Sequence, residues 1–381
     1  ASSDVVEEAG PRRSRRVALQ WSGVRQPLTQ GPAMKQITVN VPAQVIGLDL
    51  SDEKADFCMM DGRKKILRQG SIELARPALE QFLGAIEPSR VVLETCGQSA
   101  WVAKVIRSCG HEVVVVNPRR LELLTKSSKK TDRNDARLLA ELGRLDVEML
   151  QPVHEKEDRT MAIQVELRAR AQLVCTRTRL INLVRSSLKL FGVKPPKCSA
   201  DVFHQKIQLP ESLAPALGPI LAILAGLKAE LERYDEQVVE HCKRFPQTEL
   251  FRGVHGVGPI VALSFVTAIE RVERFKSSRA VGAYFGLTPK KDQSGKSDPN
   301  LRISKEGDGV VRSLLVSAAT HTLRRSAPDS DLKRFGRRIA QSGTQRDKGR
   351  ARIAVARKLA ILMHRIWVTG EIYQPLRAQS K

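Results

Sequence analysis

The sequence predicts an α/β domain with a mixed sheet over residues 36–150, then a long helical spacer, then an α-rich C-terminal domain. Three observations predict it. Apolar runs of strand length alternate with amphipathic stretches through the first third of the chain. From residue 155 the apolar residues recur at threes and fours. Beyond residue 248, glycines punctuate short apolar segments. At 381 residues the chain has room for two or three domains of roughly 150 residues.

The elements follow in order. Residues 1–35 mix charge and Gly-Pro without a period and are expected to be a disordered extension, with Met34 as the natural start. Gln44-Val-Ile-Gly-Leu-Asp-Leu50 reads as a buried strand, and Ala55–Met60 and Lys65–Gly70 as two more across a turn at Asp61-Gly62. Residues 72–86 read as a helix, Arg90–Glu94 as a strand, 99–109 as a helix and Glu112–Val116 as an apolar strand. Hairpins followed by strand–helix alternation describe a mixed sheet.

The spacer spans 151–247. One helix covers 155–190 with Ile163, Leu167, Ala171, Val174, Thr178, Ile181, Val184 and Leu188 on a stripe. A second starts near 219, with Ile220, Ile223, Leu227, Leu231, Tyr234, Val238 and His241. Narrow stripes flanked by charge suit an antiparallel coiled coil or a subunit contact, and equally helices packed on their own domain. A Gly-punctuated domain over 248–330 and a basic helical tail over 331–381 complete the chain. Lys333 to Arg365 holds eleven Lys/Arg and one acid, Asp347, and Ala351–Trp367 is helical by pattern.

Charge narrows the function. Lys and Arg number 64 against 41 Asp and Glu, a net +23, which points to a polyanion, most simply nucleic acid. An apolar fraction of 41% excludes wholesale disorder. No uninterrupted apolar run approaches the ~18 residues of a membrane span, and the charged first twenty residues lack the apolar core of a secretory signal. Six scattered cysteines without a CxxC pair argue against zinc fingers and disulfides and suit a reducing bacterial cytoplasm, at the nucleoid. No Walker-type loop is present, so nucleotide hydrolysis is not the energy source.

Four acids carry the chemistry. Asp49 lies in an apolar strand, where a charge is costly unless it binds something. Glu94 ends a strand at the carboxyl edge, where α/β sheets place ligands. Asp132 and Asp135 are three apart on a predicted helix and share a face. Four acids at one sheet edge would repel without cations, and hard divalent ions with oxygen ligands resolve this. Two Mg²⁺ ions about 4 Å apart would stabilise entering and leaving oxygens in phosphoryl transfer; Mn²⁺ is a chemically acceptable substitute. Taken singly, each acid is equally well a turn, cap or surface residue. Lys129, Lys130, Arg133 and Arg137 crowd the last pair and suit a phosphate backbone.

These blocks carry a resemblance. Val-Ile-Gly-Leu-Asp-Leu, Val-Leu-Glu-Thr-Cys-Gly and Lys-Thr-Asp-Arg-Asn-Asp-Ala-Arg resemble the amino-terminal domain of DEDD-type insertion-sequence transposases, the insertion sequence 110 and 1111 family, related to Piv invertases and including the RNA-guided bridge recombinases. Gly253-Val-His-Gly-Val-Gly-Pro259, Phe275, Gly282-Ala-Tyr-Phe-Gly-Leu-Thr-Pro289, Gln293-Ser-Gly295 and Arg302-Ile-Ser-Lys305 resemble its second signature. The resemblance spans about 40 to 370. It implies an RNase H-like, RuvC-like domain whose tetrad is Asp49, Glu94, Asp132 and Asp135. It also implies a nucleophile at Ser294, recombination of double-stranded DNA through a covalent serine link, and a structured guide RNA. Ser-Lys-Glu-Gly-Asp at 304–308 departs from the family's usual Ser-Lys-Arg-Gly-Asn and weakens one expected phosphate contact.

Beside this stands the bare reading of the residues. A serine before glycine is ordinarily a turn former, and a hydroxyl needs metal or base to attack. Ser294 therefore makes sense if the tetrad reaches it, from this chain or from a neighbour in a dimer or tetramer. The 253–259 hairpin presents backbone amides at Gly256 and Gly258 to a phosphate, or is a tight capped turn; His255 reads as a polar turn residue. Lys290, Lys296, Arg302, Lys305, Arg350 and Arg352 suit backbone neutralisation of DNA or RNA. Aromatics, at 4%, do not make a single-strand stacking platform. The reading that follows is a recombinase cutting and rejoining strands by transesterification. Its rivals are a junction-resolving nuclease using water and a non-catalytic binder.

Overall fold

The computed structural model describes residues 43–118, 132–145, 147–150, 152–291 and 301–377; the expected 1–35 extension lies outside them. The chain divides into two compact units, the first ending at His154 and the second starting at Glu155.

The first unit is built on five strands, β1 (Gln44–Leu50), β2 (Lys54–Asp61), β3 (Ile66–Glu73), β4 (Arg90–Glu94) and β5 (Glu112–Val116). Their order is β3-β2-β1-β4-β5. β1–β2 and β2–β3 are antiparallel, β1–β4 and β4–β5 parallel. Alternation along each strand sorts the side chains to two faces. Ile46, Leu48, Val91 and Leu93 pack under α1 (Arg76–Gly84) and α2 (Ser99–Ser108). Val45, Val92, Val114 and Val116 pack under α3 (Asp132–Leu142). The predicted 72–86 helix is shorter than expected. Antiparallel pairing of β3 with β2 continues to Glu73 opposite Lys54, and the helix starts where Pro77 fits its first turn.

In the second unit, α4 (Asp158–Leu190) and α5 (Ala214–Arg244) run antiparallel. Arg170 pairs with Asp235 at 2.6 Å and His241 with Glu166 at 2.8 Å. Ile163 and Leu167 meet Val238 and Cys242 at one end, and Ile181, Val184 and Leu188 meet Leu217 and Leu224 at the other. α5 starts earlier than the expected 219 and carries Pro219 inside it. Its buried stripe is Leu217, Leu224, Leu231 and Val238, whereas Ile223, expected on the stripe, is 53% exposed. A strict seven-residue spacing keeps those four facing α4; Leu231 and Val238 stand on the expected stripe, whereas Leu217 and Leu224 were not on it. Helix Glu211–Arg244 has an 18-residue window of mean hydropathy 1.6, apolar enough by composition to cross a membrane. Pro and Gly interrupt the run, and the Leu, Ile and Ala residues between them carry its average.

The rest of the unit packs around α6 (Pro259–Ile269), α7 (Ala280–Tyr284), α8 (Gly309–Thr322), α9 (Asp331–Ile339) and α10 (Gln345–Thr369). A 3₁₀ turn over Pro246–Phe251 leads into the glycine hairpin. The basic stretch read as a tail is a central element. Val355, Leu359 and Met363 of α10 are buried with Phe265, Phe285 and Leu315, so its cations lie on the outer face of a core helix. All six cysteines are free.

Candidate active site and nucleic-acid groove

Two of the predicted acids, Asp49 and Glu94, stand at the carboxyl edge of the sheet. Asp49 follows Gly47 by two residues and therefore shares its face of β1. That face is under α3, since a Cβ on Gly47 would lie 2.0 Å from the Ala136 carbonyl oxygen and 2.5 Å from the Ala140 nitrogen. Gly47 pairs with Val92, so Glu94, two residues on, shares the same face one step beyond the Leu48–Leu93 pair. Neighbouring strands lie about 4.8 Å apart, close enough for two carboxylates to repel. Asp135 precedes Ala136, the residue that seats α3 on Gly47. Asp49, Glu94 and Asp135 are all half-buried. The backbone of Asp132 starts α3; its side chain, with that of Arg133, lies outside the described residues.

The sequence reading missed a further acid on this face. Asp56 stands opposite Asp49 in the β1–β2 register and is only 5% exposed. Lys54 Nζ donates to it at 2.8 Å and the Ser71 hydroxyl donates to its other oxygen. Like Asp49, it is a charge in an otherwise apolar strand. Arg137 turns outward on α3 and pairs with Glu141 at 3.2 Å. Among the described residues, no three His, Cys, Asp or Glu side chains are grouped to hold a metal ion. The donor set at the edge is nonetheless all carboxylate, the kind that hard divalent cations take.

In the second unit the basic residues converge. Lys290 N donates to the Arg302 carbonyl at 2.9 Å and Ser304 N to Thr288 at 2.9 Å, with Pro289 bridged to Ile303. The two arms of this ribbon lead to residues 292–300, which hold Ser294 and Lys296 and lie outside the described residues, as do Lys129 and Lys130. The arm of Arg302 and Lys305 faces α10 across a groove of about 1150 Å³, to which Arg350 and Arg352 contribute the opposite wall. Asp308, where the family's usual residue is Asn, caps α8: its carboxylate accepts from Val310 N at 2.8 Å and Val311 N at 3.1 Å.

The glycine hairpin divides its roles. Gly256 has φ +91°, and a Cβ there would lie 2.6 Å from the Ala318 carbonyl oxygen; Thr322 Oγ1 donates to His255 O at 2.9 Å. Gly256 thus docks the hairpin onto α8. Gly258 has open space and forms the N-cap of α6, ahead of Pro259. His364, absent from the sequence reading, is buried on Phe275 with Nδ1 3.0 Å from Ser278 Oγ. Burial holds its imidazole below the ordinary histidine range.

Comparison with known proteins agrees with both halves. Residues 46–192 match the DEDD transposase model of the IS110 type, and residues 248–334 match the model of the IS116/IS110/IS902 transposase family. The chain is 25% identical over 367 residues to the transposase for insertion sequence element IS1111A of Coxiella burnetii, covering 91% of this chain and 98% of that protein. It is 26% identical to the transposase for element IS1328 of Yersinia enterocolitica, over 86% of this chain and 98% of that one. A probable family 20 transposase of Pseudomonas aeruginosa is 27% identical, over 76% and 86%.

Proposed function

From the premise that this chain belongs to the IS110-type DEDD transposases, enzymes of DNA transposition, we propose that it cuts and rejoins DNA strands through a serine-linked intermediate. In this reading Asp49, Glu94, Asp132 and Asp135 form the metal-binding tetrad and Ser294 is the nucleophile. The sheet order with three antiparallel strands followed by two parallel ones supports an RNase H-like, RuvC-like domain. The observation that carries the reading is the shared face of Asp49 and Glu94 at the carboxyl edge, with α3 seated over Gly47 beside them.

Transposase domains of this class use divalent metal ions; the all-oxygen donors suit Mg²⁺, which when bound polarises a phosphate and eases loss of the attacking proton. The Ser294 oxygen forms a bond to the scissile phosphorus as the bond to the leaving deoxyribose oxygen breaks. The serine proton passes to solvent and the leaving oxygen takes one up. Rejoining is the reverse, with another strand's hydroxyl attacking phosphorus and serine regaining its proton. Phosphodiester energy is kept, so no nucleotide is consumed. A shared active site in an oligomer, and a structured RNA that selects the DNA, complete the proposal; a net charge of +23 suits both polyanions.

Ser294→Ala tests it, with Ser297→Ala as the neighbouring control. Using end-labelled DNA, a denaturing gel should show a protein–DNA adduct with wild type and S297A, and neither adduct nor cleavage with S294A. Cleavage persisting in S294A would assign water as the nucleophile.

A further inference from the structure

The groove in the second unit has a lining that phosphate neutralisation alone does not account for. Eight of its eighteen lining residues are Lys or Arg and none is acidic. Among the described residues, only Arg350 of these eight has an acidic side chain within 4 Å, Asp347 at 3.7 Å. Crowded like charges repel, and a polyanion relieves them. Beneath this rim the groove is apolar, lined by Leu287, Val316, Phe335, Ile353 and Ile361. Lys358 Nζ sits 3.8 Å from the Phe335 ring centroid, which pins a cation at the edge of the floor.

Gly349 is the second observation. It lies inside α10 on the groove wall, where glycine costs about 1 kcal/mol relative to alanine. A Cβ there would meet nothing within 4 Å, so no packing contact within the fold demands glycine. What its absence of a side chain does is keep the wall open.

We propose that this groove seats one unpaired nucleotide of a nucleic-acid strand, its base on the apolar floor and its flanking phosphates on the cationic rim. The inference rests on reading the chain as a nucleic-acid recombinase. A duplex keeps its bases stacked inside and would leave the apolar floor wet. A nucleotide out of its stack offers an apolar face and an anion together. The volume, about 1150 Å³, slightly exceeds the roughly 300–1,000 Å³ of ordinary ligand pockets, which leaves room for the neighbouring phosphates. DNA and RNA strands share this chemistry.

The test is equilibrium binding by the full chain of labelled oligonucleotides of one length: single-stranded DNA, single-stranded RNA, duplex DNA, and a single strand with a central abasic tract. Wild type should bind the base-bearing strand about tenfold more tightly than the abasic one, as one seated base is worth; the tighter of the DNA and RNA arms names the source. Gly349→Leu should reduce that preference to less than about twofold while duplex binding holds. Ala354→Leu, on the same wall, serves if G349L melts early. Equal binding of abasic and base-bearing strands by wild type, or a preference untouched in both wall variants, overturns the inference. Ser294-dependent cleavage is scored separately. Intact cleavage without base preference sinks this inference alone, and base preference without such cleavage sinks the recombinase reading alone.

Discussion

Replacing Gly47 by alanine tests how the sheet edge is assembled. The added Cβ would lie 2.0 Å from Ala136 O, 2.5 Å from Ala140 N and 2.9 Å from Leu139 Cβ. Two of these are backbone atoms of α3, so no side-chain rotation relieves the clash and the helix must retreat. Overpacking of this kind costs about 1–3 kcal/mol, and backbone neighbours put Gly47→Ala at the upper end. For a unit of this size, about 3 kcal/mol lowers the melting temperature by roughly 6–12 °C. Asp135 moves with α3, and a displacement of about 1 Å at reacting groups can reduce rate about a hundredfold. Cleavage should therefore fall more than the loss of folded protein explains. Gly84→Ala is the control, because a Cβ there meets nothing within 4 Å. Thermal unfolding and single-turnover cleavage decide the matter. A G47A protein that melts within about 2 °C of wild type and cleaves normally would refute the close seating of α3 and its link to the site.

Asp308→Ala removes the acceptor for two backbone amides at the start of α8 and should destabilise by about 1 kcal/mol, read as a lower urea midpoint at unchanged slope. Asp308→Asn should keep most of that stability, because its side-chain oxygen can accept from the same amides. His364 is held neutral by burial, so the unfolded chain binds its proton more readily than the folded one. Stability should therefore fall as pH drops below about 6.5 toward the lowered value, and His364→Gln should flatten that dependence in unfolding curves between pH 5 and 7. Arg302→Gln should weaken binding to duplexes of any sequence and reduce the salt slope by about one, whereas Arg137→Gln, on a cation already paired with Glu141, should change it less.

How much was legible without coordinates depends on the range of the signal. β1, β4 and β5 have the bounds read from their apolar runs, because alternation and charge cost act within a few residues. Asp49 was found by that local argument, and Asp56 could have been. The stripe on α5 shows the limit: Leu231 and Val238 were legible, but several rows of a helix are apolar, and only the partner helix selects Leu217 and Leu224 over Ile223.

What the amino-acid order determined by itself is composition and period: a basic chain, an α/β half, long helices, and acids placed where charge is expensive. Tertiary structure alone decided that Gly47 admits α3 to bare backbone and that Gly256 docks a hairpin. It also decided that a basic stretch is a core helix whose outer cations face Arg302 across a groove. Each of these joins residues distant in the chain, and such contacts depend on shape and close packing, which no local pattern encodes.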